Sequence, residues 1–138
     1  MPVIAGSGVT QAIAYRWKTQ LNENAKIPAF SHELPELDHN EIVGWQSAAA
    51  LGRFSAVFLD DTDTHPRVQR RIELTRELIS EQATATFHVA SRGVTAVERV
   101  FSLVLLGDLV SLYAAVLRGA DPLSIEPIDQ LKAGLAAH

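Results

Sequence analysis

Short apolar runs alternate with longer helical patterns along this chain, and that alternation restricts the fold more than any other feature of the sequence. Pro2–Ala5, Lys26–Phe30, Phe54–Leu59 and Thr84–Ala90 read as extended runs, with Phe54–Leu59 the clearest buried strand. Val9, Ile13, Trp17 and Leu21 fall at i, i+4 spacing and make one apolar stripe on a helix that ends around Asn22–Ala25. Val68, Ile72 and Ile79 mark the inner face of a helix over Pro66–Gln82, with Pro66 near its start. Val94–Leu117 reads as a buried helix stopped by Gly119, and Ile128–Leu135 as a last short one. Strands that alternate with helices over short connections predict an α/β fold: a parallel sheet flanked by helices, with right-handed crossovers. Ligands of such sheets gather at the carboxyl ends of the strands. Here those ends are Gly6–Gly8, Ser31–Glu33, Asp60–Asp63 and Ser91–Gly93.

The chain's 138 residues suit a single domain. It has no cysteine, which excludes disulfides, thiolate nucleophiles and thiolate metal sites and fits a reducing compartment. A formal charge of −4 gives no general pull toward nucleic acid or an anionic membrane, so neither is expected as a partner. Glu98, Arg99 and Asp108 interrupt the long apolar stretch, which argues for a core helix over a membrane span. The opening residues MPVIAGSGVT lack the basic region and long apolar run of a secretory signal, and a cytoplasmic location is expected.

Individual motifs are weaker. Gly6-Ser7-Gly8 joins a strand to a helix, but Gln11 stands where a dinucleotide fingerprint needs glycine, so the segment reads as a tight turn and no NAD is expected. There is no G-x-S-x-G elbow. His32 and His39 share an acidic stretch, yet no histidine pair has metal-ligand spacing, and no metal or cofactor is expected. His88 reads as a satisfied core histidine, and His138 ends the chain, where order is not expected. Arg67, Arg70, Arg71 and Arg76 mix with Glu73 and Glu77 as a solvated, salt-bridged face. Asp38 and Glu41 have capping-box spacing, which starts a helix near His39. Glu23 lies roughly 200° from the Leu21 stripe, at a helix end where the macrodipole disfavours a carboxylate. A fraying helix end or a carboxylate placed as a base both account for it.

Two stretches, Arg16-Trp17-Lys18-Thr19-Gln20-Leu21-Asn22-Glu23-Asn24-Ala25-Lys26 and Glu33–Trp45 with its His39-Asn40-Glu41-Ile42-Val43-Gly44-Trp45, resemble the C-terminal half of bifunctional phosphoglucose/phosphomannose isomerases. Glu98–Phe101, Leu106–Leu109, Gly119–Pro122 and Ile128–Lys132 resemble the end of the same family. The resemblance implies one sugar isomerase (SIS) subdomain, a three-layer sandwich that is the second of two in the intact enzyme. It implies a sugar-phosphate substrate and interconversion of glucose 6-phosphate or mannose 6-phosphate with fructose 6-phosphate through a cis-enediol. Glu23 matches the family's catalytic base, His39 the histidine that opens the sugar ring, and Lys132 the active-site lysine. The family's phosphate loop and enediolate-stabilising arginine belong to the first subdomain, so the chain alone is expected to be inactive. The resemblance further implies a homodimer, with His39 serving the adjacent subunit's site. The alternative is a non-catalytic sugar-phosphate-binding or dimerisation module of the same fold.

Overall fold

The structure, a computed structural model, describes residues 1–136, and His138 lies outside the described residues. Strands β1 (Pro2–Gly6), β2 (Phe30–Glu33), β3 (Ser55–Asp60) and β4 (Ala85–Ala90) form one sheet in the order β2-β1-β3-β4. Every pairing is parallel, with Val3 opposite both Phe30 and Ala56, and Phe58 opposite His88. The helices are α1 (Val9–Ala25), α2 (Glu41–Gly44), α3 (Ala48–Leu51), α4 (Pro66–Ile79), α5 (Ala96–Arg118) and α6 (Glu126–Ala136).

Successive strand residues point to opposite faces of the sheet, and each face has its own core. Ile4 and Leu59 meet Ile13, Trp17 and Leu21 of α1 and Leu103 and Ala115 of α5. Ala5, Ala56 and Phe58 meet Leu34, Leu37, Trp45, Ile72 and Ile79 on the other side. This is the three-layer α/β sandwich expected from the alternation. The chain leaves β1 toward β2 over one face and β3 toward β4 over the other, as right-handed crossovers in opposite directions require. Gly8, at φ 53°, makes the tight turn between β1 and α1. Thr10 in the first turn of α1 donates its hydroxyl to the Leu59 carbonyl at 3.0 Å and so locks α1 to the central strand.

Four local expectations are corrected. The segment after β2 is no single helix capped by Asp38. It is a chain of short turns, two of them 3-10 (Glu36–His39 and Trp45–Ser47), followed by α3. Asn40 caps α2 by accepting from the Glu41 N–H at 2.7 Å. Asp38 is drawn away to α4, where the buried Thr75 donates to it at 2.8 Å and Arg71 at 3.0 Å. His32 lies in strand β2, not a loop, with its Nδ1 2.7 Å from Glu41. His88 is a half-exposed edge-strand residue 3.2 Å from the buried Asp60, not a core histidine. Finally, α5 buries only Leu103, Gly107, Ser111 and Ala115, with Val100, Val104 and Ala114 half-buried beside them, and most of its large apolar residues are exposed. A capping box of Thr95 and Glu98 begins it.

Candidate active site

The N-E-N turn that carries Glu23 is pinned, not frayed. Lys26 takes the left-handed conformation, φ 54°, that closes many helices, and the Ile27 N–H reaches back to the Leu21 carbonyl at 3.2 Å. Asn22 accepts from the Ala29 N–H at 2.9 Å, tying the helix end to the approach to β2. Asn24 donates to the hydroxyl of buried Ser111 on α5 at 2.8 Å. The ammonium of Lys26 donates at 2.6 Å to the carbonyls of both Glu23 and Ser124, and Arg118 donates to the Ala25 carbonyl at 3.2 Å. These bonds satisfy carbonyls that a helix end leaves orphaned, and they place cations at its negative pole. Glu23 itself is exposed, held between two tethered asparagines.

Ser124 belongs to the turn that leads into α6, so Lys26 joins the root of α6 to the end of α1. Lys132 lies on α6, which has no buried residue. Glu23 and the root of the helix bearing Lys132 therefore share the amino-terminal end of the sheet. His39 does not join them. From Val9, at the carboxyl end of β1, α1 runs back along the sheet and carries Glu23 about 21 Å away at 1.5 Å per residue. His39 follows β2 at the carboxyl end, exposed on its 3-10 turn. Parallel topology thus separates Glu23 from His39 within one chain. The residues that sequence reasoning missed are Asn22, Asn24, Lys26, Ser111 and Arg118. The available signal was the polar run Asn22–Asn24 and Lys26 itself, which on spacing alone reads only as a helix ending.

The carboxyl end of β3 holds a separate, self-satisfied cluster. Asp61 accepts from Ser91 at 2.6 Å and from Arg99 at 2.7 Å, and Arg99 also reaches Asp63 at 3.2 Å. Burial pushes the Asp61 carboxyl upward, but the Ser91 hydroxyl and the Arg99 guanidinium outweigh it and hold the group below its ordinary value. Glu98 is held low by the N–H groups of Thr95 and Val94 and by the Thr95 hydroxyl. Together these groups fasten the β3 loop to the start of α5, with no carboxylate left free for chemistry in the Asp61–Arg99 pair.

The fold is a three-layer α/β sandwich on a four-stranded parallel sheet, and the comparisons say which family of such domains it is. Residues 1–135 match the family described as the bacterial phospho-glucose isomerase C-terminal SIS domain, and the chain belongs to that family. It is 45% identical over 138 residues to the bifunctional phosphoglucose/phosphomannose isomerase of Caldicellulosiruptor bescii, covering 99% of this chain and 41% of that protein. It is 34% identical to the protein of the same description from Aquifex aeolicus, covering 100% of this chain and 43% of that one. Among solved structures, a glucose-6-phosphate isomerase like protein from Thermus thermophilus superposes with a TM-score of 0.69 at 20% identity, over 88% of this chain and 38% of that one. The chain thus spans about two fifths of the length of the curated relatives it matches.

Proposed function

We propose that this domain supplies the proton-transfer half of a phosphoglucose/phosphomannose isomerase. The observation that carries the reading is the tethered N-E-N turn, which holds Glu23 exposed while satisfying every neighbour with other partners. In the proposed reaction the open-chain aldose phosphate loses its C2 proton to the Glu23 carboxylate. The electron pair moves into the C1–C2 bond, the carbonyl oxygen gains a proton, and a cis-enediol forms. Glu23 then returns its proton to C1 while the C2 hydroxyl gives up its own, equal to the one taken up at the C1 oxygen, and becomes the ketose carbonyl, so one carboxylate serves both steps and is regenerated. His39 opens the ring by exchanging protons with the ring oxygen and the anomeric hydroxyl, a task its imidazole can serve as both donor and acceptor. Lys132 faces the oxygen on which negative charge develops. Phosphate binding falls to the other half of the longer protein, whose grip on a non-reacting group supplies binding energy used at C1 and C2. On this reading the chain alone turns over little or no substrate.

The test is Glu23→Gln in the protein carrying both halves, assayed with fructose 6-phosphate as substrate and glucose 6-phosphate and mannose 6-phosphate as products. Glutamine keeps the size and accepts no proton, so turnover should fall by about 10²- to 10⁴-fold while sugar-phosphate binding measured by calorimetry stays within a few-fold. Turnover within a few-fold of the parent would remove Glu23 from the base role.

A further inference from the structure

We propose that the exposed face of α5 is the seat of the other half of the longer protein, packed against it within the same chain. Phe101, Leu105, Leu109, Leu112, Tyr113 and Val116 spread over an arc of about 120° at 100° per residue. All six are exposed, Leu105 at 62% and Val116 at 73%. Beside them, α5 and the outermost strand β4 border a groove of about 690 Å³ whose floor is Val89, Ala90, Leu105 and Leu106 and whose lining also includes His88 and Arg92. A contiguous apolar surface of this kind marks an interface.

The charges on α5 are already spent within the domain. Glu98 caps its own helix, Arg99 meets Asp61, Asp108 meets Arg16 at 2.8 Å, and Arg118 meets the Ala25 carbonyl. Nothing ionic on this helix needs a partner from outside, so a dry protein surface can cover it without stranding a charge. A bilayer fits less well, because the paired Arg16 and Asp108 stand partly exposed at the rim of the face.

The occupant follows from length and position. More than half of each relative lies outside the part this chain matches, and the matching family is a C-terminal domain. A preceding half joins at Met1, whose carbonyl accepts from the Ser55 N–H at 3.0 Å at the amino-terminal end of the sheet. The last turn of α5 stands at that same end, bonded through Arg118 to the end of α1. A half docked there lies against the turn that presents Glu23. A second copy has a different surface to reach, because His39 and the short turns after β2 pack on the opposite face of the sheet from α5. The proposal rests on the two-half reading above for its occupant, while its test uses no activity.

The experiment places a photoreactive benzophenone side chain at Tyr113, and separately at Leu105, in the protein carrying both halves. The expected product after illumination is an internal cross-link that runs at single-chain mass, with its peptide map joining α5 to the preceding half. As a second measurement, Leu105→Cys in the same protein should react with a thiol reagent at least about 100-fold more slowly in the native state than in denaturant, read from the mass of the α5 peptide. A cross-link at twice the chain mass joining α5 to another copy overturns the proposal, as does the absence of any cross-link together with fast thiol labelling. An active enzyme with an uncovered α5 sinks only this docking, and a covered α5 in a protein without isomerase activity sinks only the catalytic reading.

Discussion

Glu23 occupies a place that helix electrostatics alone would discourage, because the carbonyls of the last turn repel a carboxylate. The fold answers with Lys26 and Arg118, which sit on the Glu23 and Ala25 carbonyls and, among the described residues, leave the Glu23 side chain without a partner of its own. Lys26 does so from a backbone conformation that costs a non-glycine residue about 1 kcal/mol, offset by its two side-chain bonds. Asn24 is the residue through which this arrangement can be tested. Its bond to Ser111 fixes the turn against α5, and on the proposed reading it acts through the position of Glu23. Asn24→Ala should lower kcat by about 10- to 100-fold with KM little changed, the cost of a small misplacement of a base. Ser111→Ala should do the same, and the two effects should fail to add in the double variant. A purely structural bond would lower the melting temperature and leave kcat alone, and that pattern would dismiss Asn24 as a positioning residue.

The contact of α1 with α5 decides the stability of the helical layer. Gly107 faces the Trp17 indole so closely that a Cβ there would overlap the ring, and the Trp17 N–H donates to the Leu103 carbonyl at 2.8 Å. Helix propensity favours alanine over glycine by about 1 kcal/mol, whereas forcing a methyl into a packed contact costs about 1–3 kcal/mol. Overlap with a fixed ring belongs at the upper end, so Gly107→Ala should be net destabilising in denaturant unfolding, and a stabilised variant would show that the two helices can part. The start of α5 governs the acid limb. Asp61 and Glu98 bind protons less readily folded than unfolded, so their contribution is present above the ordinary carboxylate range and lost as pH falls through the depressed folded values. Ser91→Ala removes one of the bonds that hold Asp61 low, and stability measured against pH should fall less steeply on the acid side than in the parent. At this scale the sequence was legible where period and punctuation agree: Ile13, Trp17 and Leu21 of the expected stripe are buried while Val9 at its start is exposed, and the Phe54–Leu59 strand and the Gly119 stop stand in the structure. It was illegible where a distant partner captures a local capping residue. Asp38 is claimed by Thr75 across 37 positions, so the capping box that its spacing from Glu41 predicts never forms. The exposure of α5 was hidden for another reason, since an apolar helix reads the same whether its partner lies in the chain or beyond it. Glu23, His39 and Lys132 were singled out by resemblance alone, and the tethers around Glu23 depend on contacts 87 and 98 positions apart.

At the scale of the whole molecule, a parallel sheet imposes a division of labour. The turns after strands and the ends of the helices that return from them lie at opposite ends, and Glu23 and His39 fall one on each side of that division. If both act on one sugar, the fold of a single chain cannot supply them together, because α1 stands between them with about 21 Å of its length. On the proposed reading a closed two-fold dimer would resolve this, with the carboxyl-terminal end of one domain brought to the Glu23 end of its neighbour, twice over. Mixing subunits of the two-half protein carrying His39→Ala with subunits carrying Glu23→Gln tests the geometry directly. Each parent should be inactive. A mixed dimer has one site that takes Glu23 from the first chain and His39 from the second, both intact, and one site that has neither. With equal amounts and free exchange, half of the dimers are mixed and half of their sites work, so the mixture should recover about a quarter of the activity of the unmutated protein. Were both residues drawn from the same chain, every site in every dimer would lack one of them, and a mixture as inactive as its components would rule the shared site out.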